Sequence, residues 1–149
     1  MPIPDLGEEG FLPIGIHECS LDEIRERFGR FQRTDQRTQL YARLIEFAQE
    51  ARKTGLVEEL IINGSFVTGE ANPGDVDLVI GVSSAHDFAA DLRPFEYNIL
   101  SKRCVRKFYG FDVLGVAVPG TPAWREYTDF FQQVKNRPER RKGILRVRL

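Results

Sequence analysis

Two apolar runs, separated by a short glycine-containing segment, constrain the fold of this chain more than any other feature. VEELIIN (57–63) and DVDLVIGV (75–82) are rich in β-branched residues. Such runs predict β-strands. Residues 35–54 precede them, with apolar residues at helical spacing and Gly55 just past the end, which predicts a helix. The centre of the chain is therefore expected to fold as a helix followed by two strands.

Helices and strands also alternate along the rest of the chain. The other predicted elements are an extended arm (1–19), a short helix opened by the capping pattern Ser20–Glu23, a helical stretch (86–107) broken at Pro94, a third strand (108–118), a helix (121–136) and a short edge strand (144–149). This alternation predicts an α/β (α+β) domain with a small mixed β-sheet packed against helices. We expect one domain over 1–149, made of an arm and short helix (1–33), a core (34–118) and a C-terminal helix with a basic tail (119–149).

Composition excludes several classes of protein. The chain has 149 residues, 42% of them hydrophobic, and a formal net charge of −1, which is typical of one soluble domain and not of a disordered chain. Two cysteines do not make a disulfide scaffold, and neither they nor His17 and His86 stand at metal-ligand spacing. No apolar run is long enough to span a membrane, and no secretory signal is apparent. The expected location is the cytoplasm, with no membrane partner.

The net charge conceals an asymmetry between the two ends. Residues 1–30 carry seven acids and three arginines, whereas residues 135–149 carry seven basic residues and one acid. The basic tail can contact the phosphates of a nucleic acid. It can also pair with the acidic N-terminal segment or lie in solvent, which is the commoner situation for a run of charge.

The aspartates of Asp75-Val76-Asp77 stand in an otherwise apolar run. In a strand, both carboxylates would emerge on one face. Two like charges at that spacing repel, and a divalent cation such as Mg²⁺, which prefers oxygen ligands, would relieve the repulsion. Alternatively, Asp75 is a turn residue after Pro73-Gly74, and Asp77 stands alone in the strand.

Gly64-Ser65 directly follows the first predicted strand. A glycine lets the backbone approach a ligand, and a following serine offers a hydroxyl and an N–H group to phosphate. The competing interpretation is a tight hairpin turn at Asn63-Gly64. Together, the two patterns indicate a phosphate-binding turn beside a metal-binding pair of carboxylates.

These residues resemble the nucleotidyltransferase (DNA polymerase beta-like) superfamily. Its pattern is a strand ending in Gly-Gly or Gly-Ser, about ten residues, then Asp-x-Asp/Glu among apolar residues, and a third carboxylate on a later strand. Gly64-Ser65, Asp75-Val76-Asp77 and Asp112 in YGFDVL match it. The resemblance covers roughly residues 38–118, a minimal core of that fold, and the whole chain looks like a small bacterial family of nucleotidyltransferase-like proteins.

The resemblance implies Mg²⁺-dependent (or Mn²⁺-dependent) transfer of a nucleoside monophosphate from a triphosphate such as ATP to an acceptor, which would be a small molecule, a protein or a tRNA. Asp75, Asp77 and Asp112 would hold the metal ions and carry the catalysis. Gly64 and Ser65 would bind phosphate, and Thr68 would offer a hydroxyl. The alternative is a non-catalytic or antitoxin-type binding module of a toxin–antitoxin pair, with a protein partner.

Two features depart from the better-known members. Arginine follows Gly-Ser in many of them, but Phe66 and Val67 stand here. Triphosphate must then find a cation elsewhere, and the candidates are Lys102, Arg103, Arg106 and Lys107, unless these form a solvated helix face. The aromatic residues Trp124, Tyr127, Phe130 and Phe131 are expected to form a core-facing stripe of the last helix, and a base-stacking surface is the lesser alternative.

Overall fold

The predicted α/β fold is confirmed by the computed structural model, which describes residues 3–149 except for the side chain of Pro138. Within those residues, five α-helices accompany a mixed five-stranded sheet and a separate two-stranded hairpin. The helices are α1 (Leu21–Phe28), α2 (Gln36–Thr54), α3 (Pro94–Leu100), α4 (Lys102–Tyr109) and α5 (Pro122–Phe131). The strands are β1 (Gly15–Glu18), β2 (Val57–Asn63), β3 (Asp77–Val82), β4 (Asp112–Ala117), β5 (Gln133–Val134), β6 (Arg137–Arg141) and β7 (Gly143–Arg148).

The strand order of the main sheet is β1-β7-β2-β3-β4. The pairs β1–β7 and β3–β4 are parallel, whereas β2 runs antiparallel to both β7 and β3. Strands β5 and β6 form the hairpin beside it. The end of β2 therefore lies beside the start of β3, which in turn pairs with the start of β4.

Alternate residues of the central strands enter two apolar layers, as the pleat of a strand requires. Leu60, Leu78 and Ile80 pack against α1 to α4 on one face. Ile61 and Val79 pack on the other face against Phe131 of α5. The sheet is thus covered on both sides, and α5 alone among the described helices covers the second face.

The predicted edge strand at 144–149 is wrong in its position, because β7 lies inside the sheet, between β1 and β2. Its arginines are accommodated there by partners. Arg146 forms an ion pair with the buried Glu59 (Nη2 to Oε1, 2.6 Å), and the indole N–H of Trp124 donates to the other carboxylate oxygen (3.0 Å). The predicted N-terminal arm is likewise corrected, since its residues Gly15–Glu18 form β1.

The basic tail pairs with acidic residues, as one of the two sequence interpretations expected. Arg137 and Arg140 both bind Glu9 of the N-terminal segment, and Arg148 binds Glu18. These contacts tie the β5–β6 hairpin and β7 to the first twenty residues.

Several predicted boundaries are also corrected. Residues 86–93 are not helical; there, the Asp87 side chain accepts the N–H of Ala89, a local bond that competes with helix formation. The third strand begins only at Asp112, because α4 continues to Tyr109 and ends at Gly110 in the left-handed conformation. The last helix stops at Phe131, and the residues after it form the hairpin.

The first half of the chain follows the predictions closely. Ser20 and Glu23 form the capping box of α1. Helix α2 ends at Gly55, and β2 covers 57–63. Within residues 3–149, no helix combines the length and the apolar character that crossing a membrane requires.

Candidate active site

A cavity of about 650 Å³ opens where β2 ends and β3 begins. It contains five of the six residues singled out by the sequence: Gly64, Ser65, Thr68, Asp75 and Asp77. Its other lining residues come from the N-terminal segment, β2, the 68–70 loop, the end of α5, the hairpin and the start of β7: Phe11, Asn63, Glu70, Phe130, Phe131, Gln133, Val134, Lys135, Asn136 and Lys142. The sequence pattern therefore converges on one concave site, apart from Asp112.

Gly64 allows the chain to turn at the floor of this cavity. Its φ of +99° is a backbone conformation that favours glycine. A Cβ atom at this position would lie 2.6 Å from the carbonyl oxygen of Asp75. The alternative hairpin turn at Asn63-Gly64 is wrong, because Ser65–Val67 form a single 3-10 turn and nine further residues (68–76) follow before β3.

Ser65 is bound to Asp75. The Ser65 N–H donates to Oδ1 of Asp75 (3.0 Å), and the Ser65 hydroxyl bonds to the same oxygen. The N–H groups of Gly74 and Asp75 lie 3.0 and 3.2 Å from Ser65 Oγ. The serine donors that the sequence assigned to phosphate are thus engaged with a carboxylate.

Asp75 lies in the loop that precedes β3, so the expectation that both aspartates stand within the strand is wrong, and Asp77 alone of the two stands in β3, as the alternative expected. The carbonyl oxygen of Asp75 accepts the N–H of Phe66 (3.2 Å), so it is used by the 65–67 turn. Both Asp75 and Asp77 nevertheless line the cavity.

Arg37 of α2 holds the loop that follows the turn, and sequence reasoning missed it. It is 2% exposed and donates to the carbonyl oxygens of Phe66 (2.7 Å), Thr68 (2.7 Å) and Glu70 (2.6 Å), with a longer bond to Phe28 (3.3 Å). Burial lowers the pKa of Arg37, an effect that Glu70 opposes. A signal was present, since Arg37 stands three residues before Leu40 on the apolar stripe of the helix.

Thr68 lines the cavity, but its hydroxyl is used within the loop. The hydroxyl donates to the carbonyl oxygen of Ser65 (2.7 Å) and accepts the N–H of Glu70 (3.2 Å). The side chain therefore stabilises the turn that carries Ser65.

Asp77 is the perturbed carboxylate of the site. The pKa of Asp77 is raised to about 6, mainly by burial and also by the negative charges of Asp75 and Asp112, while Lys142 and Lys135 oppose the rise. A half-buried carboxylate with two like charges nearby is the electrostatic situation that a bound cation relieves.

Asp112 stands beside Asp77 in the sheet but faces another partner. The two residues are register partners of the parallel strands β3 and β4. Arg106 of α4 donates to Oδ1 of Asp112 (2.7 Å), and both side chains are exposed. Asp112 does not line the cavity.

The positive charges of the cavity also differ from those expected. The α4 candidates Lys102, Arg103, Arg106 and Lys107 do not line it. Lys135 of the hairpin turn and Lys142, which precedes β7, do. Both belong to the segment that the sequence identified only as a basic tail.

The aromatic residues of α5 divide between two roles. Trp124, Tyr127 and Phe131 pack against the sheet, as expected of a core-facing stripe. Phe130 does not; it is 58% exposed and lines the cavity. The prediction of a core position is therefore wrong for Phe130 alone.

Asp75 and Asp77 are the residues of the cavity that could hold a single Mg²⁺ ion. Among residues 3–149, no group of three or more His, Cys, Asp and Glu side chains is arranged to hold a metal ion, and Asp112 is paired with Arg106. Two carboxylates suffice for Mg²⁺, which keeps several water ligands and uses one or two protein carboxylates together with substrate phosphates.

Comparison with known proteins identifies a family but no activity. The family of unknown function DUF6932 matches the chain over residues 4–148. No curated protein and no solved structure matches it.

Proposed function

The chain belongs to the family of unknown function DUF6932, and from its cavity we propose that it is a Mg²⁺-dependent nucleotidyltransferase. It would move a nucleoside monophosphate from a nucleoside triphosphate to an acceptor hydroxyl of a small molecule, a protein or a tRNA. The observation that carries the proposal is the convergence of Gly64, Ser65, Asp75 and Asp77 on one cavity. Asp112 lies beside them as the register partner of Asp77.

The reaction is an in-line displacement at the α-phosphorus. The acceptor oxygen forms a bond to that phosphorus, the bond to the bridging oxygen of the β-phosphate breaks, and pyrophosphate leaves with the electron pair. A bound Mg²⁺ ion supplies charge neutralisation for the triphosphate. Asp75 and Asp77 would hold the ion, and Asp112 would accept the hydroxyl proton once released from Arg106. Such transfer depends on positioning and electrostatics more than on covalent chemistry.

A transfer assay tests the proposal. The protein is incubated with each α-labelled nucleoside triphosphate, Mg²⁺ or Mn²⁺, and cell extract, and label is followed onto macromolecules and small molecules. We expect transfer by the wild type and a loss of at least about 100-fold in Asp77→Asn, because the metal ligand is removed. Asp91→Asn, an exposed loop residue outside the cavity, is the matched control. Equal labelling by all three proteins would assign the signal to the extract and reject the proposal.

The Arg106–Asp112 ion pair favours a second candidate, a non-catalytic or antitoxin-type binding module. A non-catalytic module does not need the Asp112 carboxylate for metal binding or proton transfer, which agrees with its ion pair to Arg106. A complex of defined stoichiometry with the product of a neighbouring gene, together with absence of Asp77-dependent transfer, would favour this candidate. Asp77-dependent turnover by the isolated chain would exclude a purely structural role.

A further inference from the structure

The lining of the cavity combines two lysines with acidic residues. Lys142 directly precedes β7, and its N–H donates to the carbonyl oxygen of Gln132 (2.8 Å), which fixes its backbone beside the end of α5. Lys135 stands in the β5–β6 turn, next to Asn136 with a φ of +64°. Gly64, Asp75 and Asp77 form the floor of the same cavity.

These two lysines differ from the other basic residues around them. Arg137 and Arg140 pair with Glu9, and Arg141 pairs with Asp129. Among the described residues, neither Lys135 nor Lys142 has an ion-pair partner within 4.0 Å. Their ammonium groups are therefore the cations that the cavity offers to a ligand.

Lys142 is also partly withdrawn from water. Its side chain is half-buried, and its Nζ lies 5.9 Å from the centre of the Phe11 ring, within the range of a cation–π contact. Burial lowers the pKa of Lys142, while Asp77 and Asp75 oppose this. A charge in such surroundings interacts with an anion more strongly than one in open solvent.

Once a cation is bound, the net charge of the cavity lining favours an anionic ligand at these two lysines. Three carboxylates (Glu70, Asp75 and Asp77) and two ammonium groups line the cavity, a net of −1. One divalent cation on the aspartates would turn this to +1. Ser65 cannot replace the lysines as the phosphate anchor while its donors are bound to Asp75.

We propose that Lys142, assisted by Lys135, binds the polyphosphate chain of the substrate, which lies between the hairpin and the floor formed by Gly64, Asp75 and Asp77. This inference rests on the proposed function for the identity of the ligand as a nucleoside triphosphate. It assigns to Lys135 in the hairpin turn and Lys142 before β7 the part that an arginine after Gly-Ser would otherwise play. This role in polyphosphate binding differs from one in which Lys142 only offsets the negative charge of Asp75 and Asp77.

Calorimetric titration with inorganic tripolyphosphate in the presence of Mg²⁺ tests the proposal without any requirement for turnover. We expect Lys142→Ala to weaken binding about tenfold or more, Lys135→Ala to weaken it less, and Lys142→Arg to retain most of the affinity, because charge-assisted bonds to phosphate are removed or kept. Lys53→Ala is the matched control, since Lys53 lies in the last turn of α2 and pairs with Glu50. Thermal unfolding of each variant confirms that it is folded.

The outcomes separate this inference from the proposed function. Wild-type affinity in Lys142→Ala, or no tripolyphosphate binding by the wild type, overturns the inference. Tighter Mg²⁺ binding by Lys142→Ala with unchanged tripolyphosphate affinity would show that Lys142 only offsets Asp75 and Asp77. Binding that depends on Lys142 without any transfer of label would retain the inference and reject the nucleotidyltransferase.

Discussion

Asp112 is the strand neighbour of Asp77, yet its carboxylate is bound by Arg106. The two aspartates are brought together by the parallel pairing of β3 and β4, and only one of them reaches the cavity. The third carboxylate of the pattern is thus close to the site and occupied by an arginine of the preceding helix. Release of that arginine would be the step that makes three carboxylates available.

Substitution of Arg106 should therefore change metal binding. In Arg106→Gln the Asp112 carboxylate loses its cation, and we expect Mn²⁺ affinity, measured by electron paramagnetic resonance, to rise by about threefold to tenfold because a negative charge near the ion is uncovered. Arg103→Gln on the same helix removes one positive charge without touching Asp112. An equal rise in both variants would show that the effect is one of net charge alone.

The raised pKa of Asp77 predicts a pH-dependent cost to stability. The folded chain binds this proton more tightly than the unfolded chain, since the pKa is about 6 instead of 3.8. The cost is therefore absent below about pH 3.8, grows as the pH rises, and is complete above about pH 6. In urea unfolding with a chelator present, Asp77→Asn should gain about 1–2 kcal/mol at pH 8 and much less at pH 4.5. A gain independent of pH would contradict this account.

Arg37 of α2 is expected to be the residue on which the stability of the 66–70 loop depends most. Arg37→Met leaves the carbonyl oxygens of Phe66 and Thr68 without their buried donor, and we expect a loss of about 3–5 kcal/mol in the free energy of unfolding. Hydrogen exchange should accelerate first at residues 66–70. Arg43→Met, on the exposed side of the same helix, should change stability by less than about 0.5 kcal/mol. Similar losses of unfolding free energy in Arg37→Met and Arg43→Met would show that Arg37 does not hold the 66–70 loop in place.

Substitution of Gly64 tests how closely its backbone must approach Asp75 at the floor of the cavity. Gly64→Ala places a Cβ atom 2.6 Å from the Asp75 carbonyl oxygen at a φ of +99°. We expect a loss of more than about 2 kcal/mol and weaker binding of ATP. Gly55→Ala is the control: Gly55 also has a positive φ (+68°), but it lies in the left-handed helical region and has nothing within 4 Å of the added atom, so the change should cost about 1 kcal/mol. Equal costs would mean that the close approach is easily relaxed.

Sequence patterns predicted those parts of the fold that are determined by residues close together in the chain. Helix α2 and strand β2 have the expected bounds because a capping glycine and an uninterrupted apolar run specify them within their own residues. Five of the six candidate residues meet in one cavity for a similar reason, since Gly64 to Asp77 belong to one strand–loop–strand unit.

The parts that were missed depend on partners distant in the chain. The charged arginines of β7 predict an edge strand. Arg146 can lie inside the sheet because it pairs with Glu59, which stands 87 positions earlier in the chain. The sequence assigns Lys142 to a basic tail, and only the position of β7 in the sheet places it at the cavity. The place of Arg37 on the apolar stripe of α2 signals its burial, but its partners are backbone carbonyl groups, which the sequence does not identify.

The interior position of β7 has a consequence for the order in which this protein is made. Strands β1 and β2 are translated early, but both need residues 143–148 as their hydrogen-bonding neighbour. Until those residues emerge from the ribosome, two strand edges stay open, and open edges invite pairing with other chains. A nascent chain stalled before Lys142 would therefore lack both Lys142 and the strand that lies between β1 and β2, and it would be a natural client for chaperones.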